Sequence, residues 1–221
     1  MLFRVLFLGG PALIWLGLCL SFVSPLKLAR RAEWALAGLF FVATQKFAWY
    51  ALFGGDAFQP ELPATVIAAT DFLYSFSCVL FGFSLVLCGW RRVANFPRGR
   101  NAGWISAVAA ALAALVAAVG LHEGIRIPRV SEKTVRVAGL PRSFDGLRIV
   151  QLSDLHASPA TDRARFEAIV RAVNALEPDL VCVTGDLADG SPEARAGQLA
   201  PLAGLRAKHG VFGCMGNHEI Y

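Results

Sequence analysis

Three short runs of residues carry the side chains most able to do chemistry. They are Asp154-Leu155-His156, Gly185-Asp186-Leu187-Ala188-Asp189 and Gly216-Asn217-His218-Glu219. Together they pool carboxylates, imidazoles and one amide oxygen. Hard oxygen donors mixed with nitrogen suit Mn, Fe or Zn. Each run alone is a weak signal: an Asp-x-His triplet can be a capping Asp beside a surface His, Asp186 can serve a turn, Asn217 can hold one, and His218 can sit buried against a carbonyl. Gly185 and Gly216 would let the backbone turn sharply, so that the next side chain points into a site.

What gives the three runs weight is where they fall. Leu147–Leu152, Asp179–Thr184 and Val211–Met215 read as strands, and each run follows one of them. Phe166, Ile169, Val170, Val173 and Leu176 recur at helical spacing over about 162–176, and Glu177-Pro178 ends that helix. A weaker helix is expected over 193–208, with Leu199, Leu202 and Leu205. The order strand, helix, strand, helix, strand predicts an α/β region with a mainly parallel sheet. Such sheets hold their chemistry beyond the carboxyl ends of the strands. Asp179–Thr184 is a continuous apolar run, of the kind buried on both faces. Lys133–Ala138 alternates and reads as one more strand.

The first half of the chain is different in kind. The whole sequence is 56% hydrophobic and only 17% charged, against about a quarter charged in a soluble domain. The apolar runs lie before residue 122. Four segments have the length of a membrane span, about 3–24, 33–54, 65–90 and 102–121. The predicted organisation is a four-helix transmembrane anchor over 1–124, a connector over 125–132 and an α/β segment over 133–221. The first segment reads as a retained helix and not a cleaved leader, because Lys27, Arg30 and Arg31 follow it. The connection between the first two spans carries those three cations, and the one between the last two carries Arg91, Arg92, Arg98 and Arg100. The middle connection has none. Positive residues stay inside, so the α/β segment is expected on the extracytoplasmic side of the cell membrane.

Within the spans, Lys46 and Asp71 each fall about 10 Å below the outer surface. Antiparallel neighbours would bring them to one depth and let them pair; alternatively Lys46 snorkels outward and Asp71 faces water. The net charge of +5 forms no single patch, so no nucleic-acid partner is expected. The five cysteines, Cys19, Cys78, Cys88, Cys182 and Cys214, contain no CxxC pair and read as buried thiols.

In order and spacing, the three runs resemble the calcineurin-like metallophosphoesterase family, whose pattern is D-x-H, G-D-x-x-D and G-N-H-[DE], then a single His, then G-H-x-H. Phe144 to His156 looks most like the membrane-associated or exported bacterial branch. The likeness covers about 133–221 and stops before the last two motifs. It implies the N-terminal half of an αββα sandwich and a hydrolase in which two divalent ions (Mn, Fe or Zn) activate water for attack on a phosphomonoester or phosphodiester. By position it implies that Asp154 and His156 bind the first metal, that Asp186 bridges both and that Asn217 binds the second. His218 would face the phosphate or leaving group, with Asp189 orienting its ring, and Glu219 would be a structural residue of the turn. Family members acting on phosphoproteins carry Arg directly after the second Asp of G-D-x-x-D. Here that residue is Gly190. A phosphoprotein substrate is therefore less expected; the membrane anchor favours a lipid-linked, nucleotide-linked or cell-envelope phosphoester, with the bilayer as the expected partner. Residues 1–221 alone are expected to be nearly inactive, for want of the remaining ligands. The competing reading is a membrane transporter or sensor carrying a vestigial phosphoesterase domain.

Overall fold

The computed structural model describes residues 2–93 and 102–220. The chain divides into two compact units, Met1–Gly124 and Ile125–Tyr221. Arg98 and Arg100, which the topology reading uses, lie outside the described residues.

The first unit is helical. It contains α1 (Leu2–Leu18, continued by a π turn over Cys19–Val23), α2 (Arg30–Thr44), α3 (Lys46–Phe53), α4 (Ala64–Val93) and α5 (Ala102–Ile125). Gly9–Leu26, α4 and Gly103–Ile125 are each long and apolar enough to cross a membrane. Leu18, Phe22, Phe40, Leu80, Ala109 and Ala113 form its buried centre. Two polar contacts tie its helices: Ser21 and Ser84 share a hydroxyl hydrogen bond of 2.5 Å, and Trp15 Nε1 donates to Ala37 O.

The expected span 33–54 is not one continuous helix. It breaks at Gln45, and α2 and α3 meet at a bend of 61°. Three helices thus pass as spans by length and composition, or four if the bent pair counts as one. The break frees backbone carbonyls that lipid cannot satisfy, and local side chains take them up. Trp49 Nε1 reaches back to donate to Val42 O at 2.8 Å. Immediately after the break, Lys46 Nζ meets Asp71 Oδ1 of α4 at 2.7 Å. Tyr50 OH donates to the same oxygen at 2.7 Å. The rings of Phe47, Tyr50 and Tyr74 lie 5.2–5.8 Å from the ammonium, within cation–π range. Lys46 pairs and does not simply snorkel away.

The second unit holds β1 (Ile149–Leu152), α6 (Arg163–Asn174), β2 (Leu180–Thr184), α7 (Pro192–Leu199) and β3 (Val211–Cys214). The weak helix predicted over 193–208 is α7 followed by a 3-10 turn, Ala200–Gly204. The strands form one parallel sheet in the order β1-β2-β3, with Val150 beside Val181 and Cys182 beside Phe212. Asp162 caps α6, its side chain accepting from Arg165 N, and Ser191 caps α7 in the same way. Phe166, Ile169 and Val173 of α6 bury against Leu155, Ala157 and Val181, each large side chain contributing about 1.5–3 kcal/mol.

Three expectations fail here. β2 is not closed off on both faces: Val181 is fully buried, while Leu180, Cys182, Val183 and Thr184 are only partly buried. Lys133–Ala138 forms no strand, and Val135 and Val137 are exposed. A strand needs a ladder partner, and no described strand pairs with that segment. The described residues hold one sheet, and the family resemblance implied only the N-terminal half of a sandwich. Ile149, Val211 and Phe212 remain exposed on the three-stranded sheet. The five thiols are unpaired; Cys214 is exposed, not buried as its strand position suggested.

Candidate metal centre

The site is built at the rim where the three strands end, at Leu152, Thr184 and Cys214. Beyond β1 and β2 the two loops continue to bond. Asp154 N donates to Gly185 O, His156 N to Asp186 O, Ala157 N to Leu187 O and Asp189 N back to Ala157 O, at 2.7–3.2 Å. This pairing holds Asp154, His156 and Asp186 in left-handed backbone conformations, with φ of 54°, 45° and 53°. Asp and His enter that region more readily than bulkier residues, yet each such residue still costs about 1–3 kcal/mol. Three of the six residues that the sequence singles out are therefore held in place against their own backbone preference.

The glycines act differently from one another. Gly185 is itself left-handed, with φ +79°, so it makes the turn expected of it. Gly216 is needed for space: a Cβ there would strike Asp186 N and Oδ1, and one on Gly185 would strike the Gly216 backbone. The two motifs lie backbone against backbone, which only glycine permits.

Glu219 fastens that contact. Its Oε2 accepts from Gly216 N and Asp186 N at 2.7 and 2.9 Å, and its Oε1 accepts from Leu187 N at 2.6 Å. It thus ties the loop after β3 to the loop after β2, a longer reach than a residue of its own turn. Burial alone would raise its carboxyl pKa, but N–H bonds from Gly216, Asp186, Leu187 and Ala188 outweigh that and hold it below the ordinary range. In return, His218 N donates to Asp186 Oδ1 at 3.0 Å.

His156, Asp186 and His218 each offer one ligand atom, and these atoms all lie within 4.8 Å of one another. Asp189 stands behind the two imidazoles. Its Oδ1 is 2.9 Å from His156 Nδ1, in a hydrogen bond, and 2.8 Å from His218 Nδ1. The second approach is close but off the N–H direction, for His218 Nδ1 is buried without a hydrogen bond. The rings meet edge to face with centroids 4.6 Å apart. Asp154 sits further out, its side chain 66% exposed and its Oδ1 4.0 Å from His156 Nε2; its other oxygen accepts from Ser153 Oγ. Asn217 is exposed at the same rim, and its carbonyl accepts from Ile220 N. A carboxylate flanked by two imidazoles, one with an orphaned buried nitrogen, is a donor set that suits a divalent transition metal.

Sequence reasoning missed Arg195. This residue of α7 is buried, and its Nε donates to Asp189 O at 2.7 Å. Gln198, one turn on, donates to Ser158 O and Thr161 O in the loop after His156. α7 therefore braces both loops. Nothing in its polar sequence marks these two residues, because the signal is the position of the helix over the rim.

Comparison with known proteins agrees with this geometry. Residues 147–221 match the family model of the calcineurin-like phosphoesterases. The second unit is thus calcineurin-like phosphoesterase sequence over that range, as the three motifs imply. Nearly the whole chain, 98% of it, aligns at 32% identity with the "Transmembrane protein with metallophosphoesterase domain" of Bos taurus, covering 51% of that protein. The protein of the same name from Danio rerio is 36% identical over 50% of this chain and 25% of its own length. The UDP-2,3-diacylglucosamine pyrophosphatase LpxG of Chlamydia muridarum is 40% identical over 36% of this chain and 26% of its own. The chain thus spans about half the length of the cattle relative and about a quarter of the other two. No solved structure matches. With its apolar helices and relatives named as transmembrane proteins, this is a membrane protein.

Proposed function

We propose that this chain carries the metal-holding rim of a membrane-anchored phosphoester hydrolase. The observation that carries the reading is the convergence of His156, Asp186 and His218 within 4.8 Å, beyond the carboxyl ends of parallel strands. Asp154, His156 and Asp186 would hold a first divalent ion, and Asp186 with Asn217 a second; Mn, Fe and Zn all fit such donors. Two ions bound there would neutralise charge on phosphate oxygens and make a nucleophile of water at neutral pH. Asp186, shared by both, would offset part of their mutual repulsion. His218 stabilises the phosphate or protonates the leaving oxygen, and Asp189 orients it.

Gly190 in place of Arg argues against phosphoprotein substrates. The membrane helices and the relative named a UDP-2,3-diacylglucosamine pyrophosphatase favour a lipid-linked or cell-envelope phosphoester. The uneven Lys and Arg distribution supports an extracytoplasmic α/β unit and four spans, with α2 and α3 together as the second. By ligand count the second ion has only Asp186 and Asn217, so residues 1–221 alone should turn over slowly. One observation favours a transporter or sensor instead: the Lys46–Asp71 pair at a helix break.

The test is Mn-dependent hydrolysis of a generic aryl phosphodiester by the full chain in detergent. Weak turnover that requires Mn and is lost in Asp186→Asn supports the reading. Turnover unchanged by that substitution or by a chelator contradicts it.

A further inference from the structure

We infer that Asp189 is the positioning residue of His156 as much as of His218, so that it sets how firmly the first metal is held. The inference rests on the metal-centre reading above and extends it. The family likeness pairs Asp189 with His218 alone. The geometry gives the better bond to the other ring: Asp189 Oδ1 to His156 Nδ1 is a hydrogen bond of 2.9 Å, whereas His218 Nδ1 makes a close but misaligned contact.

The consequence is a choice of tautomer. A carboxylate accepts and cannot donate, so the bonded Nδ1 of His156 must carry the proton. Nε2 is then left with its lone pair, and Nε2 is the nitrogen near Asp154, 4.0 Å from Oδ1. A metal ligand must be a neutral imidazole with a free lone pair, and a second partner on the other nitrogen raises its basicity and fixes its plane. Asp189 is itself well fixed. Its N–H donates to Ala157 O, its carbonyl accepts from buried Arg195, and its side chain is only 21% exposed. One carboxylate oxygen thus orders two rings that are already in edge contact, and a change at Asp189 disturbs both.

Two measurements on the full chain in nanodiscs test this. The first needs no metal: nitrogen-15 NMR of the four histidines at about pH 8, where free imidazole is neutral. His156, identified by its loss in His156→Gln, should be the Nδ1–H tautomer in the native chain and shift towards a mixture in Asp189→Ala. The second is Mn binding followed by electron paramagnetic resonance. Asp189→Ala should weaken it by about 10–100-fold, as loss of an outer partner does, and Asp189→Asn, which keeps an acceptor oxygen, by less. Circular dichroism on both variants checks that the fold persists. An unchanged His156 tautomer, or Mn affinity within about twofold of native in both variants, overturns the inference. A native chain that binds no Mn but whose His156 tautomer still depends on Asp189 would contradict the metal reading and leave the positioning role standing.

Discussion

Each unit of this chain keeps charged groups where they are costly, and the two do so in opposite ways. In the helical unit, Lys46 and Asp71 neutralise each other, and the rings of Phe47, Tyr50 and Tyr74 close around them. The pair is complete within the protein. At the sheet rim, His156, Asp186 and His218 converge within 4.8 Å of one another, the first two on left-handed backbone. On the proposed reading a bound divalent ion would supply positive charge there. The proposed difference is between a polar cluster that fastens helices and one that takes a ligand.

Substitutions should separate the two. The largest stability effect is expected from Phe166→Ala, which empties the centre of the α/β core. It should cost about 3–5 kcal/mol and, in a denaturant titration, destabilise that unit while leaving the helical core intact. Next comes Lys46→Leu, which leaves Asp71 unpaired. A fully buried pair broken in this way costs about 3–5 kcal/mol; this one is partly exposed and should cost less. Replacing Lys46 and Asp71 together with apolar residues should be milder than Lys46→Leu alone. Additive effects in that double-mutant cycle would mean the pair carries no coupling.

Smaller effects are expected where the rim loops meet. Gly216→Ala forces a Cβ onto Asp186 and should cost about 1–3 kcal/mol, the range for an overpacked contact. Its Mn affinity should fall as well, since the displaced group is the shared carboxylate. Glu219→Gln turns one acceptor oxygen into a donor facing backbone N–H groups, and should cost about 1–3 kcal/mol. The Glu219 carboxyl is held below its ordinary range in the fold. Its contribution is therefore complete above the unfolded carboxylate pKa and lost as pH falls through the folded one. Acid melts of native protein and Glu219→Gln should converge at low pH and diverge near neutrality; parallel curves would show that the clamp contributes nothing.

How much of this was legible in the sequence depends on whether the cause was local. The parallel sheet, the α6 face and the strand-end position of the three motifs follow from periodicity and turn residues, which are local signals. The pairing of Lys46 with Asp71 was legible as depth, because both count from helix ends. The break at Gln45 was not: Thr44-Gln45-Lys46 has no Pro or Gly, and what supports the bend is Trp49 reaching back to Val42 and Asp71 reaching across from α4. Lys133–Ala138 alternates like a strand, but alternation shows only that a segment fits a sheet, not that a partner edge is there. At the rim, residue types showed which groups can bind a metal. They could not show that Asp189 touches both rings, that Gly216 is a matter of space, or that Arg195 braces the loop from another helix.

The central claim is that the rim is a metal centre organised around Asp186, and Mn titration of the full chain by electron paramagnetic resonance tests it most directly. Loss of an outer partner costs about 10–100-fold in affinity, so Asp186→Asn, which removes the central carboxylate, should cost more than about 100-fold, while Lys46→Leu should leave Mn binding unchanged. Equal Mn binding by native protein and Asp186→Asn would contradict the account.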